Sequence, residues 1–137
     1  MKKNFLKLVL LLTLSVGIFS CSKSDPAPTE ASLIGTWQYS KQTNNAGAFI
    51  DYIHAAGCGK DKIVISATTI KSIIFDAAPQ GSTTCSESMV TFPYTRNGSV
   101  LTVQASTTSL NVTIVNLTNT ELTLKNPDGL IIILTRL

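Results

Sequence analysis

Two cysteines and the only histidine are the residues whose types and spacing could support a disulfide or a nucleophile with its base. Cys58 follows His54 by four residues, and Cys85 comes 27 positions after Cys58. Outside the cytosol, two cysteines favour a disulfide, because exported proteins fold under oxidising conditions. For an exported chain we therefore predict a bond between Cys58 and Cys85, which would contribute roughly 3–4 kcal/mol of stability by loop closure. The alternative is a Cys58 nucleophile with His54 as its base.

Other groups capable of catalysis are sparse. One histidine cannot supply the cluster of a catalytic zinc site, and we interpret His54 as a solvated loop residue. The sequence contains no Gly-x-Ser-x-Gly elbow and no glycine-rich phosphate loop. We therefore predict no enzymatic activity, no cofactor and no metal site. The acidic side chains of the predicted domain are expected mostly at turns or on the solvent-exposed faces of strands. They are Asp51, Asp61, Asp76, Glu87, Glu121 and Asp128.

Residues 1–20 have the pattern of a secretory signal peptide. A cationic start precedes an apolar run of 12 residues, Leu8 to Phe19, which is shorter than the roughly 20 residues of a membrane-spanning helix. The end, Ile18-Phe19-Ser20-Cys21, resembles the lipobox of bacterial lipoproteins, in which the cysteine is diacylated and becomes the mature N-terminus. The resemblance implies a lipid anchor at Cys21, which also accounts for the odd third cysteine. The alternative is an ordinary residue of a conventional signal.

Residues 21–32 are predicted to form a flexible tether, because they are polar and interrupted by Pro26 and Pro28. The stretch Ser22-Lys23-Ser24-Asp25 is similar to the signal that sends some lipoproteins to the outer face of the outer membrane. This similarity implies an outer-membrane protein exposed at the cell surface. A merely solvated tether is the alternative.

The near-zero net charge of the mature chain argues against nucleic acid as a partner. Three of the eleven Lys and Arg residues lie in the signal, which leaves eight basic residues against eight acidic ones. No basic stripe remains to neutralise a phosphate backbone, and the few aromatic residues are scattered. We therefore predict that the protein does not bind nucleic acid.

From residue 33 onward, apolar residues alternate with polar ones, which is the period of half-buried strands. The pattern Asn111-Val112-Thr113-Ile114 is typical. Asn97-Gly98 predicts a two-residue hairpin, and Pro93 predicts an edge or a bulge. The predicted strands are Leu33 to Ser40, Lys62 to Ser66, Ile70 to Asp76, Met89 to Arg96, Val100 to Gln104, two segments around 110–114 and 121–125, and Leu130 to Leu137, with Phe49 to His54 either a short strand or a helical turn.

Eight or nine short strands without helical crossovers predict one all-β domain over residues 33–137. Antiparallel strands with one apolar face must close on themselves or pack face to face. The expected fold is therefore a small meander that closes into a barrel, with a β-sandwich as the alternative. The nearly unbroken apolar run from Leu130 to Leu137 suggests a strand that closes the barrel or is covered on both sides.

The stretch Leu33-Ile34-Gly35-Thr36-Trp37 opens this domain and holds the only tryptophan. It is followed, in order, by Cys58, Cys85, Asn97-Gly98, the segment 118–124 and a terminal Leu134-Thr135-Arg136. This order resembles the lipocalin-like domains of bacterial surface lipoproteins. The resemblance implies a lipocalin-like barrel that binds a small apolar ligand or an envelope partner.

Four residues are candidates for lining a cavity: Trp37, Val90, Phe92 and Tyr94. An eight-stranded barrel is just wide enough either to be filled by side chains or to hold one small ligand. Both outcomes stay open at this point. The first is a carrier of a small apolar ligand, and the second is an interaction or inhibitor module with a filled barrel.

Overall fold

The computed structural model describes residues 31–77 and 84–137. In these residues the chain forms β-strands joined by turns, without a helix. The prediction of an all-β domain is confirmed. The strands are β1 Gly35–Thr43, β2 Phe49–Asp51, β3 Lys62–Ile65, β4 Thr69–Asp76, β5 Ser86–Asn97, β6 Val100–Ala105, β7 Thr108–Leu117, β8 Glu121–Lys125 and β9 Ile131–Arg136.

The strands form one antiparallel sheet that closes on itself. From β3 to β9 each strand pairs with the next, and β9 returns to pair with β1. β3 lies along the first half of β1 and the short β2 along its second half. Within the described residues, β1 and β3 to β9 thus make a closed eight-stranded barrel that β2 extends. The sandwich alternative is wrong, because the β1–β9 ladder joins the two ends of a single sheet.

The up-and-down order places alternate connections at opposite ends of the barrel. The connections β1–β2, β4–β5, β6–β7 and β8–β9 share one end, which we call the open end. The connections β3–β4, β5–β6 and β7–β8 lie at the other end, which we call the closed end, together with the entering chain around Leu33. Residues 52–61, the β2–β3 segment, link two strands that run in the same direction.

The closed end is filled by side chains. The Nε1–H of Trp37 donates to the carbonyl of Leu33 at 2.9 Å, and the guanidinium of Arg136 covers the indole with its central carbon 4.0 Å from the ring centroid. A large aromatic side chain is strongly stabilising when it is buried and its polar atom, here Nε1 of Trp37, has a hydrogen-bond partner. The largest side chains with an exposed fraction of at most 1 % are Trp37, Ile65, Leu101, Leu122 and Leu134.

Arg136 also fastens the entering chain. Its guanidinium donates to the carbonyl oxygens of Ser32 and Ile34, and its Nε donates to that of Asn119 at 2.8 Å. Gly35 lies against this guanidinium with a φ of +152°, and a Cβ atom there would overlap it. The glycine therefore permits the close approach that lets Arg136 cap Trp37.

Two boundaries differ from the sequence prediction at the open end of β1. The strand extends to Thr43, with a register shift between Tyr39 and Lys41 that simple alternation does not reveal. The ambiguous stretch from Phe49 is a three-residue strand rather than a helical turn. The bulge lies in the β1–β9 ladder, between the first half of β1, which pairs with β3, and the second half, which pairs with β2.

One prediction along β5 is corrected and one is confirmed. Because Asn97 pairs with Val100, the hairpin loop consists of Gly98 and Ser99 instead of Asn97 and Gly98, and Gly98 takes the positive φ of +58° that such loops require. Pro93 lies at a local sheet edge, since β5 has no β6 partner before Tyr94. It marks the point where β5 exchanges β4 for β6 as its partner, and the missing N–H is tolerated there.

Several predictions fall on residues outside the described ranges. These are the signal peptide at 1–20, lipidation at Cys21, most of the tether at 21–32 and residues 78–83 of the predicted loop. In the part of the chain that the structure describes, no helix is long and apolar enough to cross a membrane.

Candidate functional site

Asp61 is the centre of a buried polar network where β1 changes its partner from β3 to β2. Its side chain is only 5 % exposed, so the prediction of a solvent-exposed position is wrong for this residue. One carboxylate oxygen, Oδ1, accepts from the backbone N–H of Phe75 at 2.8 Å, and Oδ2 accepts from the hydroxyl of Tyr52 at 2.9 Å. A buried carboxylate needs such partners to offset the loss of hydration. Asp61 thereby ties the β2–β3 segment to β4.

His54 is also held in this network. Its Nδ1 accepts from the backbone N–H of Asp61 at 3.0 Å, and its Nε2 lies 3.1 Å from the carbonyl of Tyr39. The prediction of a solvated loop histidine is wrong, since the side chain is only 14 % exposed. These contacts fit the neutral tautomer with hydrogen on Nε2. Both ring nitrogens are engaged by the backbone, which leaves neither of them to act as a base.

Two tyrosines complete the network. The rings of Tyr39 and Tyr52 stack with their centroids 4.7 Å apart. Burial raises the pKa of Tyr39, with the negative charge of Asp61 adding to this effect and a hydrogen bond with Ser72 opposing it. Burial is likewise the largest cause of the raised pKa of Tyr52, followed by its hydrogen bond to Asp61. The network is therefore built around neutral phenols.

We expect stability to fall in alkali as a result. The unfolded chain loses its phenolic protons near the ordinary pKa of about 10, so above that pH the folded state binds more protons than the unfolded state. The free energy of unfolding is then full below about pH 10 and decreases above it. Urea unfolding at about pH 8 and about pH 11 measures this loss. Tyr52→Phe should show a smaller loss than the wild type; equal losses would contradict the assignment.

Cys58 and Cys85 form the expected disulfide, with their Cα atoms 5.8 Å apart. The bond joins the β2–β3 segment to the start of β5. It removes the alternative of a Cys58 nucleophile in the oxidised protein, because the sulfur carries no thiolate. Next to it, Gly59 packs against the ring of Phe75 so closely that a Cβ atom would overlap the ring.

The strand register shows which side chains of β5 face the inside of the barrel. Val90 lies opposite Ser72, which lies opposite Ile63, which in turn lies opposite Trp37. Directly paired residues in a sheet project from the same face. Val90 therefore shares the inner face with the buried Trp37, and Phe92, two residues further, does so as well.

Near the open end this inner face is not covered. Ile50 is 40 % exposed, Val90 49 % and Leu110 46 %, and Phe92 beside them is half-buried. Ile50 pairs with Gln42, which pairs with the inward-facing Ile132, so Ile50 also projects from the inner face. In the same way, Leu110 pairs with Val103, which pairs with the inward-facing Tyr94. We call Ile50, Val90, Phe92 and Leu110 the apolar mouth.

Two of the clefts lie at the open end, and the smaller of these two includes Leu110 of the apolar mouth. One of about 240 Å³ lies between Leu110 and the β8–β9 turn and is lined by Asn126, Pro127 and Asp128. A second, of about 580 Å³, separates this turn from the β1–β2 turn around Asn44 and also includes Asp128. A third, of about 440 Å³, lies at the closed end between Leu33 and Arg96. Ligand sites in barrels occur preferentially at their mouths, which favours the open end.

Comparison with known proteins assigns the chain to a family. A model of the lipocalin-like domain matches residues 33–124, which is more than half of the chain. The chain belongs to the lipocalin-like domain family. No curated protein matches this lipocalin-like chain in sequence.

Two solved structures share the lipocalin-like fold. A lipocalin-like protein from Bacteroides uniformis superposes with a TM-score of 0.58 at 12 % identity, over 77 % of this chain and 98 % of that one. An uncharacterized protein from Bacteroides eggerthii gives 0.55 at 10 % identity, over 77 % and 100 %. At such identities the likeness concerns the fold alone.

The four predicted cavity residues separate into two groups in the lipocalin-like barrel. Trp37 and Tyr94 belong to the core near the closed end, where the Tyr94 hydroxyl donates to the carbonyl of Ser66 at 2.9 Å. Val90 and Phe92 lie in the apolar mouth. The closed-end pair thus forms the floor beneath any ligand, and the open-end pair forms the wall.

Sequence reasoning missed two members of the apolar mouth. Ile50 was within the stretch whose period did not decide between strand and helix, and Leu110 was identified only as a strand residue on a buried face. The signal that would have found them is position, since both lie within three residues of an open-end turn. Among the described residues, no group of three or more metal-ligating side chains is present.

Proposed function

We propose that this protein is a lipid-anchored envelope lipoprotein whose lipocalin-like barrel binds a small apolar ligand at its open end. The observation that carries the proposal is the apolar mouth. Single exposed apolar side chains are ordinary on protein surfaces. Here, however, three apolar side chains that are 40–49 % exposed lie on the inner face, which forms the core elsewhere in the barrel. Such a group of exposed apolar residues indicates a binding site, and a bound ligand would bury them.

The filled closed end limits the depth of this site. Trp37, Leu101 and Leu122 are themselves fully buried in the core. The ligand would therefore lie against Val90 and Phe92 on β5 and Leu110 on β7, two strands away. Full burial of a Val, Leu or Ile side chain contributes about 1.5–3 kcal/mol, so a few such contacts support binding in the micromolar range. The proposed role is binding rather than catalysis, since His54 and Cys58 are both engaged structurally.

A charge on the inner wall should abolish this binding. Val90→Asp places a carboxylate where the ligand lies, and we expect the affinity for the neutral dye N-phenylnaphthylamine to fall at least tenfold, about 1.4 kcal/mol or more. Dye fluorescence measures the affinity, with the mature chain carrying Cys21→Ser so that its own lipid does not compete.

The neighbouring residue provides a matched control for Val90→Asp. Met89 lies next to Val90 on the outer face of the same strand and is 56 % exposed. Met89→Asp introduces the same charge in the same strand without touching the mouth, so the dye should bind as in the unmutated chain. Equal effects of the two substitutions would show that the dye does not occupy the barrel.

The lipid anchor is proposed from Ile18-Phe19-Ser20-Cys21 and the tether that follows. The chain enters the barrel at the closed end, where Arg136 holds Ser32 and Ile34. The apolar mouth therefore opens at the end opposite the entering chain. The twelve residues of the tether, 21–32, would reach at most roughly 40 Å if fully extended. We assign the protein to the outer membrane, with the barrel at the cell surface, on the similarity of Ser22-Lys23-Ser24-Asp25 to an export signal.

Acyl labelling tests the anchor. Cells supplied with radioactive palmitate should label the wild-type protein and leave Cys21→Ala unlabelled, since the acyl groups are attached through residue 21. Cys58→Ala provides the control, because it also removes one cysteine and should remain labelled. Label that persists in Cys21→Ala would contradict the anchor.

A further inference from the structure

The inner face of the open end lacks a cationic side chain among the described residues. The register turns Lys41, Lys62, Lys71 and Lys125 outward, since each neighbours an inward-facing residue in its strand. Arg96 and Arg136 lie at the closed end, where they bind backbone carbonyls. The remaining cation, Lys60, is exposed in the β2–β3 segment, beside the glycine that packs on the outward-facing Phe75.

Among the described residues, the charges that face inward or line the clefts at the open end are negative, whereas Lys41 and Lys125 at the same end point outward. Asp128 lines both clefts of this end, next to Leu110 in the smaller one. Asp76 is exposed at the last position of β4 and projects from the same face as Ser72. The turns add no positive charge: residues 44–48, 77–85, 105–108 and 126–130 contain no Lys, Arg or His.

Three uncharged polar side chains accompany the apolar mouth on the inner face. Ser72 lies opposite Val90, Ser88 lies two residues before Val90, and Gln42 lies opposite Ile50. A serine hydroxyl and a glutamine amide can each donate or accept a hydrogen bond. They suit a ligand hydroxyl, ester or amide, whereas a carboxylate or phosphate would be buried without a counter-ion.

From this distribution we infer that the ligand of the apolar mouth is uncharged: an apolar molecule that carries at most hydroxyl, ester or amide groups, and not a fatty-acid carboxylate or a phosphate. The inference rests on the proposed function, because it specifies the ligand of the same site. The two rim carboxylates strengthen it, since they repel an anion that approaches the mouth.

A matched pair of dyes tests the inference. N-phenylnaphthylamine and anilinonaphthalene sulfonate share one aromatic skeleton, and only the second carries a negative charge. In the mature chain with Cys21→Ser, the neutral dye should bind at least tenfold more tightly than the anionic one. Equal or tighter binding of the sulfonate, reduced by Val90→Asp, would overturn the inference while the proposed function stands. Binding of neither dye would overturn the proposed function itself.

A lysine introduced on the inner face should reverse the preference for the neutral dye over the anionic one. Val90→Lys supplies the missing counter-ion, so the affinity for the sulfonate should rise at least fivefold while that for the neutral dye falls. Leu110→Lys, on the inner face of β7 two strands away, is a second variant with the same expectation. The control is Met89→Lys on the outer face, which should leave both affinities unchanged. If neither inner-face lysine in a folded variant raises the sulfonate affinity, or if Met89→Lys raises it equally, the inference is wrong.

Discussion

Replacement of Trp37 by alanine is expected to lower the free energy of unfolding by about 3–5 kcal/mol. The indole is fully buried in the core of the closed end. Its loss leaves a cavity, deprives the Leu33 carbonyl of its donor and removes the surface on which the Arg136 guanidinium lies. For a domain of this size such a loss is a large part of the total stability.

Denaturant unfolding followed by circular dichroism measures this change, since the variant contains no tryptophan for fluorescence. Trp37→Phe is the matched control, because it retains an aromatic ring but lacks the N–H group. It should lose clearly less stability than Trp37→Ala. A loss below about 1 kcal/mol for Trp37→Ala would show that the closed end is not the main core.

The second large effect is expected from the disulfide. The double variant Cys58→Ser, Cys85→Ser should unfold with a free energy about 3.5 kcal/mol lower than that of the wild type, by the entropy of closing a loop of this length. The bond closes a loop over a sequence separation of 27 residues. The midpoint of denaturant unfolding under oxidising conditions measures the change.

Reduction of the wild type supplies the control for the double variant. With a reductant present, the wild type should unfold at the same denaturant concentration as the variant, and the variant should not respond to the reductant. Because Asp61 and His54 hold the β2–β3 segment independently, the barrel should keep its strand content without the bond. An unchanged unfolding midpoint in both experiments would contradict a stabilising disulfide.

The sequence pattern was sufficient to predict the barrel. Alternation such as that around Val112 and Ile114 survives in the structure, because one face of each strand packs on a shared core and the other meets water. Trp37 could be recognised as a core residue from its place at the start of the first strand. Local pattern did not reveal the bulge after Tyr39, because a bulge depends on the register of β1 against β9, a strand about 90 residues away in the sequence.

The polar network and the apolar mouth could be predicted only in part. His54 and Asp61 are seven residues apart in an irregular segment, and their contacts depend on Tyr39 and on the N–H of Phe75 from distant strands. The exposure of Val90 depends on how far β5 extends beyond β6 towards the open end. Sequence periodicity encodes neither the contacts between distant strands nor the relative lengths of paired strands. The sequence therefore identified the face on which Val90 lies but not its exposure.

The central claim is that a neutral apolar molecule occupies the open end of the barrel. It is tested most directly by a crystal structure of the mature chain, carrying Cys21→Ser, with N-phenylnaphthylamine bound. The account predicts that the dye lies against Ile50, Val90 and Leu110, above the floor formed by Trp37. A dye bound to the outer face around Met89, or at the closed end beside Arg96, would contradict it.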